Sequence, residues 1–256
     1  VYKRQYMAYE FKDPMNFIAR LDPSTFYLLE PSIPQGAVSN GVLYHLEKAI
    51  EYSYSEKHRD AIDECNYAVN LEPDNPYVHI IKAYVIFRSC IKDYNCYERA
   101  LNEIDLALNL NQNIAYAHYL KAEILSVIHR LSRSWRYDGI SVSVDYAYML
   151  NEIDTALSLD PNNPYYLIRK AEILLGSGKS NEAIKTCDYL ISLDPNNTTY
   201  HLLKARILAA MKLYSDALKE YDKAIELDPK CIPCHRKKAE LLKRMGKYME
   251  ALEEYD

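Results

Sequence analysis

Three stretches of the chain, SLDPNNP, SLDPNNT and ELDPKC, set their prolines at Pro161, Pro195 and Pro229, 34 residues apart each time. Nine and ten residues after each proline comes a Lys-Ala pair: Lys170-Ala171, Lys204-Ala205 and Lys238-Ala239. The same pair follows Pro73 as Lys82-Ala83, follows Gln112 as Lys121-Ala122, and opens the series as Lys48-Ala49. A period of this length constrains the fold more than composition does. Each copy is one supersecondary unit that buries its apolar face only by stacking on the next.

A second set of small residues marks the later half of each unit. Ala61, Ala183, Ala217 and Ala251 lie twelve residues beyond the alanine of their Lys-Ala pair. Ala100 comes five residues late, and Met149 fills the place fifteen late. Ala68, Ala107, Ala156 and Ala224 follow seven residues on, with Leu190 the exception. Between the markers the apolar spacing is helical, as in Leu167, Ala171, Leu174 and Leu175, then Ala183, Ile184, Cys187, Leu190 and Ile191. Small residues at fixed places let two antiparallel helices approach closely. The Asp-Pro-Asn-Asn turns end one unit and begin the next, since proline cannot continue the old helix, Asn or Thr caps the new one, and Pro164 suits a first turn.

A helix-turn-helix of this length, with alanine at positions 8, 20 and 27 and proline at 32, resembles the tetratricopeptide repeat (TPR) family. The resemblance covers Val42 to Asp256. It implies an all-α fold, a right-handed TPR superhelix of antiparallel helix pairs. The expected organisation is a non-repeat flank over 1–41 and six units over 42–75, 76–114, 115–163, 164–197, 198–231 and 232–256, the last truncated. Two departures stand out. The family's frequent tryptophan at position 4 is missing, and lysine replaces leucine at position 7, where its stem can cover apolar surface while the ammonium reaches water.

The last unit opens with CIPCH (231–235), which read alone is the attachment motif of a c-type haem. The period offers another reason for its histidine. His235 stands at position 4, as do His45, His79, His118 and His201, with only Leu167 breaking the column. A residue that recurs with the repeat needs no iron, and a ring packed flat on the neighbouring helix is expected. Cys231, Cys234 and His235 are too few for a zinc site, with Cys90 and Cys96 several units away. Cys65 and Cys187 share position 24, an interior helix site where cysteine acts as a small hydrophobe. No glycine-rich phosphate loop, H-E-x-x-H or G-x-S-x-G is present, so no enzyme activity, cofactor or metal is expected. Glu220, Asp222 and Glu226 read as a solvated helix face.

A formal charge of −5, with Lys and Arg dispersed, argues against a nucleic-acid partner. No apolar run approaches the roughly 18 residues that span a bilayer, and a cytoplasmic location is favoured. Six cysteines are too sparse for a disulfide-built scaffold. The chain stops inside a predicted helix and reads as a piece of a longer protein.

The resemblance implies a concave wall lined by the first helix of every unit, at positions 2, 5, 6, 9, 12 and 13, which binds peptides. Tyr77, Tyr116 and Tyr165 fill position 2 in successive units, with Tyr84, Tyr119, Arg169, Arg206 and Arg236 nearby. Tyrosine supplies 25 of the 30 aromatics, and such a wall suits an apolar or aromatic peptide carrying some negative charge. Packing between adjacent first helices is the competing role for the same tyrosines. The Lys and Asn with which one TPR subclass clamps chaperone C-termini are absent, so that partner is not expected. The third unit carries a 15-residue expansion, RLSRSWRYDGISVSVDY, expected to form a helical finger turning at Asp138-Gly139 with Ser143 as a cap. Trp135, Arg133 and Arg136 make its tip a second candidate contact. Residues 1–41, interrupted by Pro14, Pro23, Pro31 and Pro34, are expected to cap the first unit, or alternatively to occupy the chain's own groove. The function expected is a non-catalytic scaffold or adaptor; the alternative is the recognition arm of a larger enzyme, with haem electron transfer more distant.

Overall fold

In a computed structural model of the chain, residues 30–90, 94–134 and 145–255 are described. Among them are twelve helices and no strand. The first six are α1 (Asn40–Tyr54), α2 (His58–Leu71), α3 (Pro76–Ser89), α4 (Tyr94–Leu110), α5 (Ala115–Ser134) and α6 (Tyr146–Leu159). The other six are α7 (Pro164–Gly176), α8 (Ser180–Leu193), α9 (Thr198–Ala210), α10 (Tyr214–Leu227), α11 (Ile232–Arg244) and α12 (Tyr248–Glu253). They divide into two compact units, Leu28–Tyr166 and Leu167–Asp256.

Within Leu28–Tyr166, α1 packs on α2, α3 on α4 and α5 on α6, while α2–α3 and α4–α5 join successive pairs. Within Leu167–Asp256 the pairs are α9–α10 and α11–α12, joined through α8–α9 and α10–α11. This is the all-α stacking of helix pairs that the period predicts. The small-residue columns lie inside the packed pairs. Ala49, Ala83, Ala122, Ala171, Ala205 and Ala239 are wholly buried, and so are Ala61, Ala100, Ala183 and Ala217. A larger side chain there would push two helices apart. Met149 and Leu190, the exceptions in sequence, are equally buried. In α3, every residue from Ala83 to Phe87 is buried, because this helix has neighbours in α1, α2, α4 and α5.

Local chemistry ends and restarts the helices. Asn75, Asn163 and Asn197 accept from the backbone N–H two residues on, at 3.0, 3.1 and 3.1 Å. Those bonds satisfy donors that a helix start leaves open. Asp145, rather than the expected Ser143, caps α6. The turn inside a unit places position 15 in the left-handed region, at Glu56 (φ 58), Gly178 (φ 82), Lys212 (φ 63) and Gly246 (φ 79). Glycine takes this conformation freely, while Glu56 and Lys212 carry its strain.

Two disulfides are present, though the fold is not built on them. Cys90–Cys96 links the end of α3 to α4, and Cys231–Cys234 spans the start of α11. Of the flank, only residues 30–41 are described. The Asn75 side chain donates to the Ala37 carbonyl, and the Ser39 amide donates to Glu72 at 2.9 Å. Residues 1–29 and the tip of the expected finger lie outside the described residues.

Candidate functional site

The histidine column does more than pack its rings, although His45 does stack on Tyr67 of α2, with ring centroids 5.7 Å apart. In each case Nδ1 meets a glutamate on the second helix of the same pair, or just past its end for Glu254: His45–Glu64, His79–Glu103 at 2.8 Å, His118–Glu152 at 2.6 Å, His201–Glu220 at 2.8 Å and His235–Glu254 at 2.7 Å. For four of them Nε2 also reaches the carbonyl of the preceding turn, at Pro73, Gln112, Pro195 and Pro229. One ring thus ties an inter-repeat turn to a helix nineteen or more residues away.

The lysine column completes the arrangement and corrects a second expectation. The position-7 ammonium ends on carboxylates. Lys82 reaches Glu103 at 2.7 Å, and Lys48 reaches Glu64 at 3.3 Å. Lys121, Lys204 and Lys238 each bridge two acids, the glutamate of their own pair and an aspartate of the preceding second helix. These acids are Glu152 and Asp105, Glu220 and Asp188, and Glu254 and Asp222. Glu220 is therefore not part of a solvated face, whereas Asp222 and Glu226 keep that role while pairing with Lys238 and Lys223. Lys121, Lys204 and Lys238 thus stitch one pair to the next.

The carboxyls show the effect of these partners. The His45 bond leads in holding Glu64 below the usual range. Burial works to raise Glu103, Glu152, Glu220 and Glu254, but bonds from histidine and lysine overcome it and hold all four low. In the converse direction, the Glu103 and Glu152 bonds raise His79 and His118 against the opposing effect of burial.

The glutamates stand at position 23, a column that sequence reading passes over because charged residues are expected outside. The signal was present in the exceptions. The unit that has Leu167 in place of histidine has Thr186 in place of glutamate.

The expected groove residues fall into two classes. Tyr77, Tyr116 and Tyr165 are half-buried. Tyr84 and Tyr119 are only 0% and 3% exposed, so they form an inner layer that no partner touches directly. Tyr84 shares a hydrogen bond with the Tyr54 hydroxyl at 3.0 Å, and the Arg88 guanidinium lies 4.1 Å from the Tyr54 ring. Tyr119 sits between Tyr116 and Tyr166, with ring centroids 5.9 and 5.0 Å away. In Leu167–Asp256, Arg169 and Arg206 converge on Glu172 at 3.1 and 3.8 Å. Arg236 is half-buried, with Nε unpaired. Trp135 and Arg136 lie outside the described residues, as does the side chain of Arg133.

Cys231 and Cys234 are wholly buried against Leu202, Tyr221, Ala224 and Leu241. Both nitrogens of His235 are engaged, by Glu254 and by the Pro229 carbonyl at 3.2 Å. The CIPCH histidine thus does the work of its column. Among the described residues, no group of three metal-ligating side chains converges, and no helix is long and apolar enough to cross a membrane.

Residues 150–207 match the family model of the tetratricopeptide repeat. No curated protein matches the chain. Among solved structures, a tetratricopeptide repeat protein from Parabacteroides merdae is similar with a TM-score of 0.67 and 15% identity, over 84% of this chain and 78% of that one. The pilF protein of Pseudomonas aeruginosa is similar with a TM-score of 0.63 and 15% identity, over 84% of this chain and 88% of that one. YrrB, described as a TPR protein with an unusual peptide-binding site, gives 0.52 and 18% over 74% and 88% of the two chains. At these identities the likeness is one of fold. Residues 150–207 are thus tetratricopeptide repeat sequence, and the stacked helix pairs give the chain the fold of tetratricopeptide repeat proteins.

Proposed function

We propose that the chain is a non-catalytic interaction scaffold, divided into the six units given above, that binds a peptide or an extended segment of a partner protein along its first helices. The observation that carries this is the half-buried tyrosine at position 2 of three successive units, Tyr77, Tyr116 and Tyr165. A ring with one face packed and one edge open supplies contact area at little entropic cost. Tyr84 and Tyr119 hold that layer rigid from behind, and Arg169, Arg206 and Arg236 favour a partner with acidic residues. The peptide-binding description of YrrB supports the same reading. Trp135, Arg133 and Arg136 form the second candidate contact.

The test is a quantitative pull-down from source extract with the intact chain, a Tyr116→Ala/Tyr165→Ala variant and a Trp135→Ala variant, each checked for unchanged helicity. Loss of a partner with the tyrosine variant alone supports recognition by the first helices. Loss with Trp135→Ala alone moves recognition to the expansion. Retention of the same partners by both variants overturns the site assignment.

A further inference from the structure

The partners of His79 and His118 constrain their protonation. For His79, Nδ1 faces the Glu103 carboxylate at 2.8 Å and Nε2 faces the Pro73 carbonyl at 2.7 Å. For His118 the partners are Glu152 at 2.6 Å and the Gln112 carbonyl at 2.9 Å. Ionised carboxylates and carbonyls only accept hydrogen bonds, and a neutral imidazole has a single N–H. A neutral ring would point one lone pair at an acceptor. The imidazolium alone satisfies both contacts, and at 9% and 12% side-chain exposure water offers little relief.

We propose that His79 and His118 are pH sensors built into the repeat, which tie each inter-repeat turn to the second helix of the next pair while protonated and release it on losing the proton. The surrounding charges are consistent with this. Around His79 stand Glu103 on α4 and Lys82 on its own helix, with Glu64 and Cys65 of α2 beyond. Around His118 stand Glu152 on α6 and Lys121 on its own helix, the lysine also held by Asp105 of α4 and lying 5.2 Å from the Tyr148 ring. In each case the bonded glutamate outweighs both burial and the nearby ammonium, and raises the histidine.

The chain also contains its own control. Leu167 and Thr186 replace the histidine and glutamate together in one unit, yet α7 and α8 form as elsewhere. The charged pair is therefore not needed for the helices; it adds a dependence on pH.

The sign follows from linkage. A histidine raised in the folded state contributes stability that is fully present below its ordinary value of about 6.5 and is lost as pH rises through the folded value. The experiment is an NMR titration of the imidazole resonances of the full chain, paired with urea midpoints across the same pH range. Resonances are assigned from His79→Leu/Glu103→Thr and His118→Leu/Glu152→Thr, which copy the Leu167/Thr186 pair. The expected result is that both histidines titrate above about 6.5, that the urea midpoint falls as pH rises, and that each double variant flattens this fall. Should a double variant not fold, Glu103→Gln and Glu152→Gln serve instead, each moving its histidine's titration downward. Titration at or below the ordinary value, or double variants that keep the full pH dependence, would overturn the proposal.

Discussion

Replacing Glu220 by glutamine removes one charge and leaves the shape almost unchanged, so it isolates what the carboxylate contributes. Glu220 accepts from His201 at 2.8 Å and from Lys204 at 2.7 Å, and Lys204 also holds Asp188 at 2.9 Å. Side-chain exposures of 19% and 21% put Glu220 and Lys204 well inside the surface layer. Hydrogen bonds to charged groups contribute about 1.5–3 kcal/mol each, and glutamine's oxygen retains part of that as a weaker acceptor. The expected loss for Glu220→Gln is therefore about 2 kcal/mol. Lys204→Met keeps the alkyl stem and removes the ammonium; its coupling to Glu220→Gln in a double-mutant cycle should be about 1 kcal/mol.

Urea unfolding followed by circular dichroism gives the total, and hydrogen exchange localises the loss to α9, α10 and their neighbours, because stacked repeats can open unit by unit. Asp216→Asn is the control. It breaks an i,i+3 pair with Lys219 whose side chains are 57% and 77% exposed, and no change in midpoint is expected. The pH dependence supplies an internal check. Glu220 is held low when folded, so its contribution is present above the ordinary carboxyl value and is lost as pH falls through the folded one. Wild type and Glu220→Gln should converge in acid. A coupling below about 0.3 kcal/mol, or no convergence, would refute the argument that the lysine and glutamate columns stabilise the stack.

Two further outcomes are expected. Lys212→Gly should raise stability and Gly178→Ala lower it, each by about 1 kcal/mol, since both sites have positive φ and nothing lies within 4 Å of a Cβ at Gly178; thermal melts check both, and a shift of Lys212→Gly downward would count against strain there. Burial pushes the Cys65 and Cys187 thiols up to about 12, so neither should react with a thiol reagent at pH 8 until urea unfolds the chain; rapid labelling of the native protein would show that the helix pairs open easily.

The helix pairs were legible from residues alone because their causes are local or periodic. Ala83, Ala205 and Ala239 are small wherever two helices must touch, and Asn75, Asn163 and Asn197 bond to backbone only two residues away. Pro73, Pro161, Pro195 and Pro229 end helices whatever surrounds them. Such features depend on backbone sterics and spacing, which a sequence carries openly. The charged columns were not legible in this way. Glu220 as a letter is the same whether water or His201 meets it, and only the antiparallel return of α10 along α9 brings the two together across nineteen residues. Lys204 needed in addition the docking of α8, which supplies Asp188. The same holds for Tyr84 and Tyr119, whose place on a first helix suggested contact with a partner until the neighbouring helices left them almost no accessible surface. Sequence thus determined where the helices run and which faces are apolar, through interactions within one turn or one repeat. Tertiary structure decided the fate of each polar group, because solvation and pairing depend on what a second and third helix bring within about 3 Å.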